Sequence, residues 1–493
     1  MKNDSAKKEN SPAKELEKKL KFQAKLSWDR LDDRERDEAF RFADGYKFFL
    51  DQAKTEREAV REIAKAARKA GFEELSKGRG GKKFIFMNKG KSLALAHLGS
   101  APLAAGVKIV VSHIDSPRID LKQNPLYEEA DMALLRTHYY GGIKKYQWVT
   151  IPLSLHGWVM KADGPPLEVR IGEDPNDPVF VINDLLPHLS GRTQDQKKIS
   201  EAIEGERLTV LAGSLPFPDA EAKERAKLRV LELLYQMHGL VEEDFTSAEL
   251  ELVPAMKSRD VGFDRSLVGA YGQDDRASAY TSLQAILTLP KVSQTVIAWF
   301  VDKEEIGSDG NTGAKSMFLE SIVRALSEHT GLTASEGLVK EILANSQAIS
   351  ADVESALDPN YPEVHEKQNA GKLGYGVCLE KFTGHRGKSG ASDARAEYVA
   401  EIRKIFNQNN IAWQMTEIGK VDEGGGGTVA KYLAVYGMDI IDCGAPVLSM
   451  HSPYEITSKA DIYQTYKAYR AFLAASSEPF MERTKPSRKK QLR

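Results

Sequence analysis

Apolar residues in this chain repeat first with helical spacing and then with strand spacing. Between residues 28 and 70, side chains such as Ala43, Tyr46 and Leu50 recur three or four positions apart, which predicts helix. Gly71 follows as a candidate C-cap. Short apolar runs then predict strands at residues 84–86, 92–96 and 107–111.

The pattern changes in the middle of the chain. Residues 122–255 contain short strand-like pieces at 148–151 and 167–171, separated by proline-rich turns. One amphipathic helix in this stretch carries Leu228 and Leu231 on its apolar face. After residue 269, apolar strands alternate with amphipathic helices, up to a last helix near residue 470. The sequence therefore predicts an α/β fold with a mostly parallel sheet flanked by helices, interrupted by a mainly β insertion.

These changes divide the chain into candidate domains. Residues 21–121 and 256–475 form a split α/β domain, and residues 122–255 form an inserted β-rich domain. The Lys-, Glu- and Ser-rich residues 1–20 are predicted to be a disordered tail or a frayed helix. Residues 476–493 form a basic tail.

Composition narrows the class of protein. With 493 residues and a net charge of −2, the chain lacks the broad basic face of a nucleic-acid binder. No apolar run approaches the ~20 residues needed to span a bilayer, and no secretory signal is visible, so we expect no membrane association and a cytoplasmic location. Two cysteines exclude a Cys-rich zinc module, so any metal would be held by His and carboxylates.

His113 and Asp115 follow an apolar strand immediately. Residues two apart on a strand face the same side, so the carboxylate can orient the imidazole as a metal ligand. A solvated polar pair at the strand end is the structural alternative, and for these two residues alone it is favoured.

Further carboxylates open a helix or follow strands. Asp274 precedes an amphipathic helix, where it either caps the helix or bridges two metal ions. Glu304 and Glu305 follow the strand at 295–301 and reach one site only if the chain turns there, which Gly307 would permit. An exposed acidic turn is the alternative.

Asp352 and His451 also follow apolar runs, and either could be a buried structural residue. Taken together, however, these acidic and His features fall mostly at strand ends of the α/β part. Ligands of parallel α/β sheets gather outside the carboxyl ends of the strands. Imidazole and carboxylate without thiolate suit a pair of hard-to-borderline metal ions.

The order of these motifs resembles the aspartyl aminopeptidase family of binuclear zinc metallopeptidases, over roughly residues 40–475. The matching pieces are Ser-His-Ile-Asp-Ser-Pro (112–117), Asp-Asp-Arg (274–276), Asp-Lys-Glu-Glu-Ile-Gly-Ser (302–308), Ser-Ala-Asp (350–352) with Pro-Asn-Tyr (359–361), and Met-His-Ser-Pro-Tyr-Glu (450–455).

The resemblance implies a role for each matching residue. His113 and Asp352 would hold one divalent metal ion, and Glu305 and His451 would hold the other. The residue bridging both ions would be Asp274. The ions would be zinc, with cobalt or manganese as alternatives.

Two further roles belong to the reaction itself. Asp115 would orient His113, and Glu304 would be the general base that activates water for attack on the peptide bond. The expected substrates are peptides, from which the N-terminal residue is removed.

The resemblance also assigns the inserted domain, residues 122–255, to oligomer contacts and to covering the site, in a tetrahedral dodecamer. His188 would reach a neighbouring subunit's active site, and Lys381 would bind substrate. Two substrate-side histidines of the family are replaced here by Ser355 and Asp358, which puts the family's preference for acidic N-terminal residues in doubt. Two other functions stay open: a binuclear metal deacylase acting on small N-acylated substrates, and a non-catalytic oligomeric scaffold.

Overall fold

The computed structural model describes residues 12–22, 24–75 and 80–476. The strands are β1 (Glu73–Glu74), β2 (Lys83–Asn88), β3 (Ser92–His97), β4 (Lys108–His113), β5 (Arg118–Glu129), β6 (Met132–Tyr140), β7 (Leu153–Val159), β8 (Leu167–Ile171), β9 (Val210–Gly213), β10 (Ala248–Pro254), β11 (Arg259–Val261), β12 (Leu267–Ala270), β13 (Val296–Val301), β14 (Gln347–Ser350), β15 (Glu354–Ser355), β16 (Val377–Glu380), β17 (Trp413–Thr416), β18 (Asp439–Gly444), β19 (Pro446–Leu448) and β20 (Glu455–Ser458). The α-helices are α1 (Pro12–Leu20), α2 (Ser27–Arg30), α3 (Asp33–Gln52), α4 (Glu56–Lys69), α5 (Pro187–Ser190), α6 (Ile199–Ala202), α7 (Arg225–His238), α8 (Gln273–Leu287), α9 (Phe318–His329), α10 (Glu336–Ala344), α11 (Ala396–Gln408), α12 (Ala430–Ala434) and α13 (Lys459–Ala474).

The largest sheet has nine strands in the order β1-β2-β3-β13-β4-β14-β18-β16-β17. Its four central strands, β13, β4, β14 and β18, run parallel to one another. Antiparallel pairs occur towards the two sides, where β3 meets β13 and β16 meets β18. The predicted α/β fold with a mainly parallel sheet is confirmed.

Helices cover both faces of this sheet. Along β13, Ala298 and Phe300 pack into the core shared with α3, α4, α8, α11 and α13. The alternate residues Ile297 and Trp299 pack into the core shared with α9, α10 and α12. Because both faces are buried, the strand is apolar throughout, as the sequence shows.

Two smaller sheets complete the fold. Strands from residues 118–254 form an antiparallel sheet in the order β8-β7-β10-β5-β6-β9, with a core of its own around Trp148. The third sheet, β11-β12-β20-β19-β15, was not predicted from the sequence.

Several local predictions differ from the structure. Residues 148–151 form an irregular turn instead of the predicted strand, because Thr150 adopts a left-handed backbone with φ +61°. The predicted helical stretch at 28–70 is divided into α2, α3 and α4, and α4 begins with a capping box between Thr55 and Glu58.

The predicted tails lie at the limits of the structure. Residues 12–20 of the predicted disordered tail form α1, in which no residue is buried; residues 1–11 lie outside the described residues. Its Lys- and Glu-rich sequence has good helix propensity, so a solvent-exposed helix is the outcome. The basic tail lies outside the described residues from 477 onwards. Within residues 12–22, 24–75 and 80–476, no helix is long and apolar enough to cross a membrane.

Candidate active site

Three adjacent parallel strands bring the candidate ligands together. Strand β4 pairs with β13 on one side and β14 on the other. His113 is the last residue of β4, Glu304 and Glu305 follow β13, and Asp352 follows β14. The carboxyl ends of neighbouring parallel strands therefore place these side chains at one edge of the sheet, where ligands of α/β proteins bind.

Asp274 lies between the two histidines of the site. It is buried at the start of α8, and its Oδ1 is 3.1 Å from His113 Nε2. Its Oδ2 is 3.2 Å from His451 Nε2. One carboxylate thus presents a different oxygen to each imidazole, which is the arrangement that a bridging ligand of two metal ions requires.

Each histidine also faces a second carboxylate. His113 Nε2 is 3.6 Å from Asp352 Oδ1. His451 Nε2 is 3.5 Å from Glu305 Oε2. The site therefore consists of two halves of the same composition, one imidazole and one carboxylate, joined by Asp274.

Both imidazoles are oriented through their other nitrogen. His113 Nδ1 lies 3.0 Å from the backbone oxygen of Asp115 and 3.2 Å from its Oδ1. His451 Nδ1 lies 2.8 Å from the backbone oxygen of Gly142. Because oxygen acceptors hold both Nδ1 atoms, Nε2 is the nitrogen of each ring that faces the site, as in metal-binding histidines.

Asp115 also fixes the turn that carries the two glutamates. The backbone N–H of Glu304 donates to its Oδ1 and that of Glu305 to its Oδ2, each at 3.1 Å. The Tyr140 hydroxyl donates to Oδ2 at 2.8 Å. Gly307 has φ +94°, so the chain turns after β13 as the sequence predicted.

Sequence reasoning missed Glu455, which supports the other half of the site. Its Oε2 accepts a hydrogen bond from the backbone N–H of Asp274 at 3.1 Å, and its Oε1 accepts one from the backbone N–H of His451 at 2.8 Å. Its position four residues after His451 was the available signal. Its contact with Asp274 depends on the pairing of β20 with β12.

The electrostatics of the site are those of crowded acids. Burial and the charges of neighbouring acids raise the pKa of Glu304 to about 8, although His113 opposes this. Burial alone would lower the pKa of His451, but its hydrogen bond to Asp274 and the charge of Glu305 raise it to about 11. The crowded carboxylates thus favour positive charge at this place, which divalent metal ions would supply.

The donor set fits divalent metal ions. Ligand atoms of His113, Asp274 and Glu305 lie within 4.8 Å of one another, as do those of His113, Asp275 and Asp352. Among the described residues, the buried Oε1 of Glu305 has no hydrogen-bond partner, which leaves it available to an ion. Asp275 was given no role from the sequence; its Oδ1 accepts the Ser278 N–H at the start of α8.

The site opens into a cavity of about 410 Å³. His113, Asp274, Glu304, Glu305, Asp352 and His451 all line it. A cavity of this size accommodates a small-molecule ligand or the end of a peptide.

Neither residue predicted to bind substrate lies in this wall. Lys381 is part-exposed and its Nζ pairs with Asp393 Oδ1 at 2.5 Å. His188 is exposed on the short helix α5. The predicted role of His188 is in the active site of a neighbouring subunit. The assignments of His188 and Lys381 to substrate binding both stay predictions.

The imidazole and carboxylate groups that converge on this cavity are the donor set of a metallohydrolase site. The family described as "Aminopeptidase I zinc metalloprotease (M18)" matches residues 49–473. This chain is 51% identical over 456 residues to a probable M18 family aminopeptidase 1 of Clostridium acetobutylicum, covering 91% of this chain and 98% of that protein.

Solved structures agree with this match. The crystal structure of the M18 aminopeptidase of Thermotoga maritima has a TM-score of 0.88 and 47% identity, covering 92% of this chain and 99% of that chain. The Saccharomyces cerevisiae mApe1 dodecamer shares the fold, with a TM-score of 0.69 and 22% identity, covering 87% of this chain and 95% of that chain.

The chain therefore belongs to the M18 family. It is an aminopeptidase, a zinc-dependent hydrolase of peptides.

Proposed function

We propose that each subunit holds two divalent metal ions, most suitably zinc. His113 and Asp352 would bind one ion, and Glu305 and His451 the other, with Asp274 bridging them. The observation that carries this proposal is the separate contact of each Asp274 oxygen with one histidine. Bound ions supply the Lewis acidity that polarises the scissile carbonyl and makes water acidic enough to attack it at neutral pH.

Glu304 is the general base in this proposal. Its carboxylate lines the cavity beside the metal ligands, and Asp115 holds its backbone N–H at 3.1 Å. A pKa raised by burial and neighbouring acids suits a group that takes a proton from water and returns it to the leaving amine.

Metal content and turnover, measured together, test both assignments. Chelation should abolish hydrolysis of aminoacyl anilides, and zinc should restore it with two ions per chain. Glu304→Gln should keep the wild-type metal content and lose activity by a factor of about 10² to 10⁴. Glu336→Gln, at an exposed position of α10, is the matched control.

Three outcomes would contradict the proposal. A full rate in Glu304→Gln would exclude the base, and one ion per chain at full activity would exclude the bridged pair. Faster cleavage of N-acetylated substrates than of free amines would favour the deacylase.

We further propose that residues 122–255 form an inserted domain that mediates assembly of a homo-oligomer. The yeast mApe1 dodecamer, which shares the fold, supports twelve subunits here, and the tetrahedral arrangement is what the family resemblance implies. Exposed apolar side chains in this stretch, such as Leu189 and Ile199, are suited to subunit contacts. Sedimentation analysis tests the assembly, and cell fractionation tests the cytoplasmic location.

A further inference from the structure

The catalytic cavity has a second wall that the metal site does not use. It includes Glu354, Glu380, Thr383, Lys431 and Tyr432. Glu354 and Glu380 are each only 4% exposed, and both line this cavity; Glu380 also lines a neighbouring one. Two further carboxyl groups, distinct from the candidate metal ligands, therefore line the space in which a substrate side chain must lie.

Glu380 is held rigidly in this wall. It is the last residue of β16, its Oε1 accepts a hydrogen bond from the Ile418 backbone N–H at 3.2 Å, and its carboxyl group is hydrogen-bonded to that of Glu354. In the sheet register, Asp442 and Thr416 lie directly beside it on the two neighbouring strands. An ordered carboxyl group can contribute to selectivity without first losing conformational entropy.

The surroundings of Glu380 are polar and incompletely satisfied. Asp442 and Thr416 are buried, and among the residues that the structure describes, Asp442 Oδ2 and Thr416 Oγ1 have no hydrogen-bond partner. The Thr428 hydroxyl, which also lines the cavity, donates to the other Asp442 oxygen at 2.6 Å. These oxygens of Asp442 and Thr416 lie behind the wall; in the wall itself, the carboxyl oxygens of Glu354 and Glu380 suit a ligand that brings hydrogen-bond donors.

Lysines could instead make this wall attractive to an acid. Lys381, the residue expected to bind an acidic side chain, pairs with Asp393 and does not line the cavity. Lys431 does line it, and its Nζ lies 4.9 Å from the centre of the Tyr432 ring. An acidic side chain would therefore have Lys431 as a partner, but it would also have to approach the hydrogen-bonded pair of Glu354 and Glu380, in which one carboxylate remains to repel it.

We propose that Glu380, supported by Glu354, is a specificity-determining residue that selects a positively charged side chain at the N-terminal position of the peptide and disfavours aspartate and glutamate. This inference rests on the proposed location of catalysis at the metal site, and it runs against the acidic preference that the family resemblance implied. An ammonium or guanidinium group would bring hydrogen-bond donors and a positive charge to the carboxyl groups of Glu354 and Glu380.

Substrates that differ in charge but hardly in shape test the wild-type enzyme. The zinc-loaded full-length protein is assayed with anilides of lysine and norleucine, and of glutamine and glutamate. We expect kcat/KM to favour lysine over norleucine and glutamine over glutamate by about tenfold each, as for one partly buried charge pair. Norleucine equal to lysine, or glutamate above glutamine, would overturn the proposal.

Variants then assign the preference to a residue. Glu380→Gln should lower the ratio of kcat/KM for lysine to that for norleucine about tenfold. Because this is a ratio, any loss of activity common to both substrates cancels. Glu417→Gln removes an equal charge near Glu380 but outside the lining of the catalytic cavity, so it should leave the ratio unchanged. An unchanged ratio in Glu380→Gln would refute the assignment.

The remaining outcomes separate the two proposals. If the wild-type enzyme prefers glutamate and Lys431→Met selectively loses glutamate hydrolysis, Lys431 is the determinant of specificity and Glu380 is excluded. Wild-type protein that binds zinc but cleaves none of the four anilides would instead contradict the proposed location of catalysis. If Glu380→Gln does not fold, the wild-type charge pairs still decide the question.

Discussion

Replacing Asp115 by asparagine changes one oxygen of a fully buried side chain into an amide nitrogen. Asp115 Oδ1 accepts the Glu304 N–H and faces His113 Nδ1, whereas Oδ2 accepts the Glu305 N–H and the Tyr140 hydroxyl. Whichever oxygen the amide nitrogen replaces, it must therefore face a backbone N–H, that of Glu304 at Oδ1 or that of Glu305 at Oδ2. Beside His113 it would also place an amide N–H against Nδ1, which lies 3.0 Å from the Asp115 backbone oxygen.

The less costly of the two orientations of the new amide group sets the expected loss of zinc affinity. With the amide nitrogen on the Oδ2 side, the Tyr140 hydroxyl can rotate to accept a hydrogen bond, but the Glu305 N–H loses its partner. Loss of one hydrogen bond to a charged group costs about 1.5–3 kcal/mol. If this loss falls on the metal-bound form, zinc binds about 10–100-fold more weakly, a usual effect of removing a residue that orients a metal ligand.

Competition with a chromophoric chelator measures this affinity directly. Tyr140→Phe removes one neutral donor and should weaken zinc binding less than Asp115→Asn does. Asp309→Asn, an exposed residue beyond the same turn, should have no effect. The reasoning is refuted if Asp115→Asn binds zinc within about twofold of wild type.

Three further changes test other contacts. Glu455→Gln should weaken zinc binding about tenfold in calorimetric titration, because its carboxylate accepts two backbone N–H groups of the metal site. Gly444→Ala should reduce zinc content, because a Cβ there would lie 1.6 Å from the Asp352 backbone oxygen; Gly387→Ala, with no described heavy atom within 4 Å, should not. Burial alone would lower the pKa of His156, but hydrogen bonds to two glutamates raise it. The protonated imidazole therefore stabilises the folded protein. This stabilisation is complete below the unfolded pKa of about 6.5 and is lost as the pH rises through the folded pKa. The unfolding midpoint should therefore fall as the pH rises above 6.5, and the fall should be smaller in His156→Gln; equal falls would contradict this.

The parts of the site that sequence could predict are those that follow from local rules. His113, Glu305 and Asp352 each come at or just after the end of an apolar strand, and parallel strands bring such ends together. No structure is needed to see that pattern. The roles assigned to these residues nevertheless came from resemblance, since each motif alone had an equally complete structural explanation.

The supporting residues could not be found in the same way. Glu455 reaches Asp274 because β20 pairs with β12, with Glu455 opposite Ala270. The two paired strands are separated in sequence by more than half of the distance between the first and last residues of the site. The strands of the third sheet are short, and β11, β12 and β15 carry little alternation to predict them. Long-range pairing of short strands is set by tertiary packing, which local pattern does not encode.

The inserted β region is joined to the metal site more closely than the sequence boundary at residue 122 implied. Strand β5 begins at Arg118, directly after the His113 motif, and β6 returns antiparallel with Tyr140 opposite Arg118. This register carries the chain back to the site, where the Tyr140 hydroxyl reaches Asp115 and the Gly142 carbonyl accepts the proton of His451 Nδ1. Residues of the insertion thus orient one proposed metal ligand directly and the other through Asp115. Residues between 118 and 254 therefore contribute contacts to the candidate active site of their own chain.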